Sequence, residues 1–246
     1  FDKNQGFPGS FTSKNITPFN LKGWSDGDIY RTITSGIDKY GRALFPVMPY
    51  PNYNKLATED VYSIIAYVRS LPAIESHPED SKADFPMNII LHTIPEPAHP
   101  TAMPKITDPD YGAYITNAAG CRVCHTKQEK GQVVGEPFAG GFEFRFPNGA
   151  ITRSANITPD MENGIGGWDR ATFIRKFKDF ADSSYVPAAI DWKANDFQTV
   201  MPWLMYAGMS EQDLGAIYDY LRTVTPAATK VEYWSPAEGK KTAAVK

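Results

Sequence analysis

The chain has 246 residues, 42% hydrophobic and 22% charged, enough for one large domain or two small ones with a buried core. Its 25 basic and 28 acidic side chains are interspersed and sum to a formal net charge of -3, so no basic face points to nucleic acid and no polybasic run to anionic lipid. The longest apolar runs, at 61–68 and 87–92, fall far short of the roughly 20 residues that span a bilayer, so no transmembrane segment is expected in this chain.

The chain opens on Phe1-Asp2-Lys3, which resembles neither a native start nor a signal peptide and suggests a missing upstream part. A first helix is expected over 26–37, opened by Ser25 or Asp26, and a second from Thr58, with Val61, Ile64, Ile65 and Val68 on one face and a stop before Pro72. Prolines then thicken between Leu71 and Pro104 without periodicity, which predicts an extended linker flanked by two domains. Pro109 suits the first turn of a helix over 109–120, where Tyr111, Tyr114, Ile115 and Ala118 share a face. Asp169 opens a further helix over 169–181, and Ser210 caps the last, with Leu214, Ile217, Tyr218 and Leu221 recurring before Pro226. Strand signals are weak throughout, and the stretch 238–246 reads as a disordered terminus or tether.

Compared with itself, the sequence repeats. Asn-Ile-Thr-Pro occurs at Asn15 and again at Asn156, each followed by Gly-Trp, at Gly23-Trp24 and Gly167-Trp168. Both Asn-Ile-Thr triplets match a glycosylation acceptor, but their recurrence in equivalent segments favours a structural role. Further on, "VMPYPNYNKLATEDVYSIIAYVRS" matches "VMPWLMYAGMSEQDLGAIYDYLRT", pairing Met48 with Met201, Pro49 with Pro202, Tyr53 with Tyr206, Tyr67 with Tyr220 and Arg69 with Arg222. The expected domains are 1–75, a linker at 76–105, a second domain at 106–227 and a tail at 228–246.

The only two cysteines, Cys121 and Cys124, are followed directly by His125. In covalent haem attachment, two thiols one helical turn apart take the porphyrin vinyl groups, and the next histidine falls under the iron. A thioredoxin-like dithiol expects a βαβ context that the sequence lacks, and a structural zinc site needs four ligands, whereas His77, His92 and His99 lie in the proline-rich stretch without ligand spacing. The haem reading alone gives each residue a task.

For the second axial position Met201 is the candidate, because it sits in an irregular stretch before the last helix and its partner Met48 recurs in repeat one, whereas Met205 and Met209 have no methionine counterpart. Pro137 is either a turn-former or the carbonyl that accepts the other ring N–H of His125. Trp168, Arg145 and Tyr206 are candidates to hydrogen-bond haem propionates, with ordinary core or surface roles as the alternative.

These segments, "YGAYITNAAGCRVCHT", "FAGG", "NITPDMENGIGGWDRATFIRKFK" and "MPWLMYAGMSEQDLGAIYDYLRTVTP", resemble the multihaem cytochrome c subunits of bacterial alcohol, aldehyde and gluconate dehydrogenases and related dihaem cytochromes c. The resemblance implies an all-α fold of two tandem cytochrome c-like domains joined by the proline-rich linker, with the first N-terminally truncated in this chain. It implies one haem c on Cys121 and Cys124 with His125 and Met201 axial, and in repeat one carries over only Met48 as a ligand. A second haem is expected if a Cys-x-x-Cys-His segment exists upstream, where counting back from repeat two places it about 17 to 21 residues before Phe1. The implied role is single-electron transfer in the periplasm, from a dehydrogenase or quinol-linked donor to a downstream cytochrome or oxidase, more as a carrier or complex subunit than an independent catalyst. The alternative is a haem enzyme of peroxidase or thiosulfate-oxidising type with an open or labile position.

Overall fold

The computed structural model describes residues 1–129, 131–182, 184–191 and 196–237, so the expected tether at 238–246 lies outside the described residues. The chain forms two compact units, Phe1–Pro104 and Lys105–Lys246.

In the first unit, strand β1 (Gly9–Ser10) leads through the Asn-Ile-Thr segment to a helical turn, α1 (Pro18–Leu21), and helix α2 (Asp26–Ser35). Helix α2 begins where the Ser25 hydroxyl accepts from the Asp28 amide and the Asp28 carboxylate accepts from the Ser25 amide, a reciprocal cap. It ends at Gly36, whose left-handed φ of 70° and missing side chain together make room for the Tyr50 ring. A turn α3 (Tyr50–Tyr53) precedes helix α4 (Thr58–Ser70). Thr58, expected as the cap, is the first helical residue after Ala57, and α4 stops as Leu71 turns extended ahead of Pro72. Leu21, Ile29, Tyr50, Val61 and Ile65 are buried in the core.

Part of the proline-rich stretch packs on this unit. Strand β2 (Lys82–Ala83) pairs antiparallel with β1, a turn α5 (Met87–Ile90) follows, and the His99 amide donates to the Asn54 carbonyl at 2.8 Å.

The second unit starts with helix α6 (Tyr111–Ala118) and the single turn α7 (Cys121–Cys124). A hairpin of β3 (Gln128–Glu129) and β4 (Gln132–Val133) and the strands β5 (Glu143–Arg145) and β6 (Ile151–Arg153) precede helix α8 (Arg170–Lys178). A turn α9 (Trp203–Tyr206), helix α10 (Glu211–Leu221) and strand β7 (Trp234–Ser235) complete it. Asp169 and Ser210 cap α8 and α10 by accepting from the amides of Thr172 and Asp213. Helices α6 and α10 pack together at Gly112, where a Cβ would fall 2.3 Å from the Ala216 carbonyl oxygen, and the Tyr111 hydroxyl donates to Asp213 at 2.6 Å beside it. Phe138, Ile165, Phe173, Ile217 and Leu221 form a buried cluster beneath them.

The fold is therefore not all-α, as the resemblance implied. Three small antiparallel sheets, β1–β2, β3–β4 and β5–β6–β7, stand beside the helices among the described residues. The pairings β1–β2 and β6–β7 arise where the chain leaving α4 and α10 doubles back, and its backbone amides and carbonyls find partners on the strand preceding each Asn-Ile-Thr segment. Ser10 faces Lys82 in the first unit and Ile151 faces Ser235 in the second.

The repeat read in the sequence recurs in hydrogen bonds. Asn156 Oδ1 accepts from the Thr158 amide at 2.9 Å and hydroxyl at 2.7 Å, while its Nδ2 donates to the carbonyls of Ala227 and Thr229. Asn15 makes the same four bonds, to the Thr17 amide at 2.9 Å and hydroxyl at 2.7 Å and to the carbonyls of Ile74 and Ser76. The triplet thus clamps the segment leaving α4 in the first unit and α10 in the second.

Candidate functional site

The site is built on the tight connection from α6 to α7. Gly120 takes a left-handed φ of 69°, which lets the chain leave α6 and start the turn that carries both cysteines. Cys121 is half-buried, Cys124 is exposed, and both are free thiols. Burial pushes the Cys121 thiol up to about 12 and the Cys124 thiol up as well. Both are protonated at neutral pH, the opposite of the depressed thiol that drives a redox dithiol. Among the described residues no three His, Cys, Asp or Glu side chains gather in a way that could hold a metal ion, so the four donors of a structural zinc site are not assembled there.

His125 follows, its Nδ1 lying 2.7 Å from the Ala155 carbonyl oxygen. A carbonyl only accepts, so Nδ1 carries the proton and Nε2 keeps its lone pair. Burial lowers the pKa of the ring and the bond to Ala155 opposes this, which leaves a neutral imidazole. Behind the histidine, its own carbonyl accepts from the Gly140 amide at 2.9 Å, and the buried Thr126 hydroxyl accepts from the Phe138 amide. Those bonds hold Phe138 at a φ of 63°, a left-handed position rare for a bulky residue. Pro137, read as either a turn-former or the carbonyl partner of the ring, is exposed, and the carbonyl beside the ring Nδ1 is that of Ala155.

Met201 is half-buried in the loop ahead of α9. Its amide donates to the Thr199 hydroxyl at 3.1 Å and its carbonyl accepts from the Trp203 amide at 2.8 Å. The rival methionines lie otherwise: Met205 is 76% exposed, and Met209 packs against the buried cluster. Tyr206 links the methionine loop to the cysteine turn, since its hydroxyl donates to the Ala119 carbonyl at 2.5 Å. Lys178 fastens the end of α9 by donating to the carbonyls of Ala207 and Met209.

Arg145 is exposed and paired with Glu143 at 2.7 Å, and the Trp168 carbonyl accepts from the Tyr218 hydroxyl while Lys176 sits over its ring. In the first unit, Met48 occupies a loop like that of Met201, half-buried, with its carbonyl accepting from the Tyr50 amide at 2.8 Å. Sequence reasoning missed Ala155, whose small side chain carries no signal, although the triplet beside it is repeated.

The chain is similar to the cytochrome c subunits of several dehydrogenases, although no family model matches it. It is 28% identical over 244 residues to the cytochrome c subunit of a quinone-dependent alcohol dehydrogenase from Komagataeibacter europaeus, a match covering 89% of this chain and 48% of that protein. It is 35% identical over 118 residues to the gluconate 2-dehydrogenase cytochrome c subunit of Pantoea cypripedii, covering 48% of this chain and 23% of that one. With the fructose dehydrogenase cytochrome subunit of Gluconobacter japonicus it shares 26% over 233 residues, 89% of this chain and 46% of that one. The chain spans about half the length of the alcohol and fructose dehydrogenase subunits it matches.

Proposed function

We propose that this chain is an electron-transfer cytochrome that holds haem c on Cys121 and Cys124, with His125 and Met201 as axial ligands. The observation that carries the reading is the His125 ring, protonated at Nδ1 by its bond to Ala155 and so left with a free Nε2 lone pair, directly after two free thiols one turn apart. This donor set fits the group. Haem c supplies a one-electron iron couple when bound. Cys121 and Cys124 would hold it covalently, His125 would donate to its iron through Nε2, and the Met201 thioether would favour the reduced state and exclude small ligands.

The donor is a dehydrogenase or quinol-linked protein and the acceptor a downstream cytochrome or oxidase; the names of the relatives support the former. The location is the periplasm, because haem is attached covalently outside the cytoplasm.

If a Cys-x-x-Cys-His segment exists upstream of Phe1, a second haem belongs to the first unit, with Met48 as a ligand. Two features support it. The Met48 and Met201 loops share the 2.8 Å bond in which the methionine carbonyl accepts from the amide two residues on. Helix α4 is also bare where α10 is covered by α6: Ile64 and Tyr67 are 39% and 66% exposed, whereas their counterparts Ile217 and Tyr220 are 3% exposed and half-buried. A helix carrying the second haem motif fits that face.

Pyridine haemochrome analysis counts haems per chain, and the weak red-edge absorption band of the oxidised protein reports sulfur ligation. Met201→Ala is expected to abolish the band of this haem, lower its potential and admit carbon monoxide. Persistence of the band in that variant rules Met201 out.

A further inference from the structure

The His125 ring proton goes to a carbonyl whose own residue cannot hold it in place. Ala155 has only a methyl group, yet its peptide is gripped from two sides. On one side, Asn156 and Thr158, 3% and 0% exposed, lock the following residues to the carbonyls of Ala227 and Thr229 and to the Ala227 amide, which donates to the Thr158 hydroxyl at 3.1 Å. On the other, Gly140 lies so close that a Cβ would fall 2.5 Å from the Ala155 carbonyl carbon, and the same residue donates its amide to the His125 carbonyl at 2.9 Å. The Ile157 amide donates to the Phe138 carbonyl at 2.9 Å and closes the frame.

We infer that Asn156 and Thr158 are positioning residues for the proximal ligand: by fixing the Ala155 carbonyl on the His125 ring proton, they set how strongly His125 donates to the iron. The inference rests on the haem reading above. A carbonyl that accepts the Nδ1 proton makes the imidazole a stronger donor. A stronger donor favours the oxidised iron, so hydrogen bonding behind the ligand lowers the potential. Loosening the anchor weakens the bond and raises it. The recurrence of the same four bonds at Asn15 and Thr17 gives the first unit an equivalent anchored peptide, beside Lys14.

The test uses the haem-loaded full chain and follows the redox wave of the haem on Cys121 and Cys124. Thr158→Val and Asn156→Ala are expected to raise the midpoint potential while the sulfur-ligation band stays, and Thr158→Ser, which keeps the hydroxyl, to remain at the wild-type value. A purely structural triplet lowers thermal stability and leaves the potential of the folded protein unmoved, which overturns the inference. Should the variants not fold, proton NMR of the reduced wild-type protein decides. A slowly exchanging His125 Nδ1 proton with contacts to the Asn156 amide upholds the inference, and one that exchanges freely or contacts residues 136–139 overturns it. Wild-type protein without haem overturns the haem reading itself, whereas haem with an unmoved potential overturns this inference alone.

Discussion

His125 hands its ring proton to a carbonyl 30 residues further along the chain, and that bond decides which nitrogen is free for a ligand. The residue types at the site were legible from spacing alone, because two thiols one turn apart and a following histidine make a local chemical pattern. The partner was not legible: any backbone carbonyl accepts equally well, so only the tertiary path of the chain chooses between Pro137 and Ala155. Helix caps are the opposite case, since Asp169 acts on a neighbour three residues away. The Thr172 hydroxyl and amide hold its carboxyl below the ordinary value of 3.8. A depressed carboxyl adds stability that is present above the unfolded value and lost as the pH falls through the folded one, so this contribution fades below pH 3.8. Asp169→Asn keeps the acceptor without the charge. Its thermal midpoint is expected to fall less steeply than that of wild type on the acid side, and parallel curves would show that the carboxyl is uninvolved.

Among the elements, the long helices follow from apolar residues at three and four and from their caps, and the expected spans 26–37, 109–120 and 169–181 shorten to α2, α6 and α8. The strands escaped because each is two or three residues long, too short for alternation to show. Gly112 is another feature that local reading undervalues, since glycine inside a helix looks only like a cost of about 1 kcal/mol. Its neighbour across the contact is backbone, which cannot yield to a methyl group as a flexible side chain can. For Gly112→Ala the expected overpacking cost of about 1–3 kcal/mol lies toward its upper end and exceeds the gain in helix propensity. Urea unfolding of the holoprotein should therefore show a lower midpoint, and a higher one would mean that α6 and α10 separate freely.

At the scale of the whole molecule, the chain divides into two compact units, Phe1–Pro104 and Lys105–Lys246. The border falls at Lys105, which is exposed, as is Ile106 after it. Brief tryptic digestion of the haem-loaded chain is expected to cut after Lys105 and release a fragment starting at Ile106 that keeps its absorption spectrum, as exposed segments between compact units are cleaved first. Loss of the spectrum on that cut would show that the second unit depends on the first. The sequence by itself determined the helices, the repeat and the Cys-x-x-Cys-His pattern, because each is written in neighbours within a few positions. Only the tertiary structure decided where the return strands pair, why Gly112 is glycine and which carbonyl holds His125. Those depend on backbone groups brought together from distant parts of the chain, and every residue carries the same backbone.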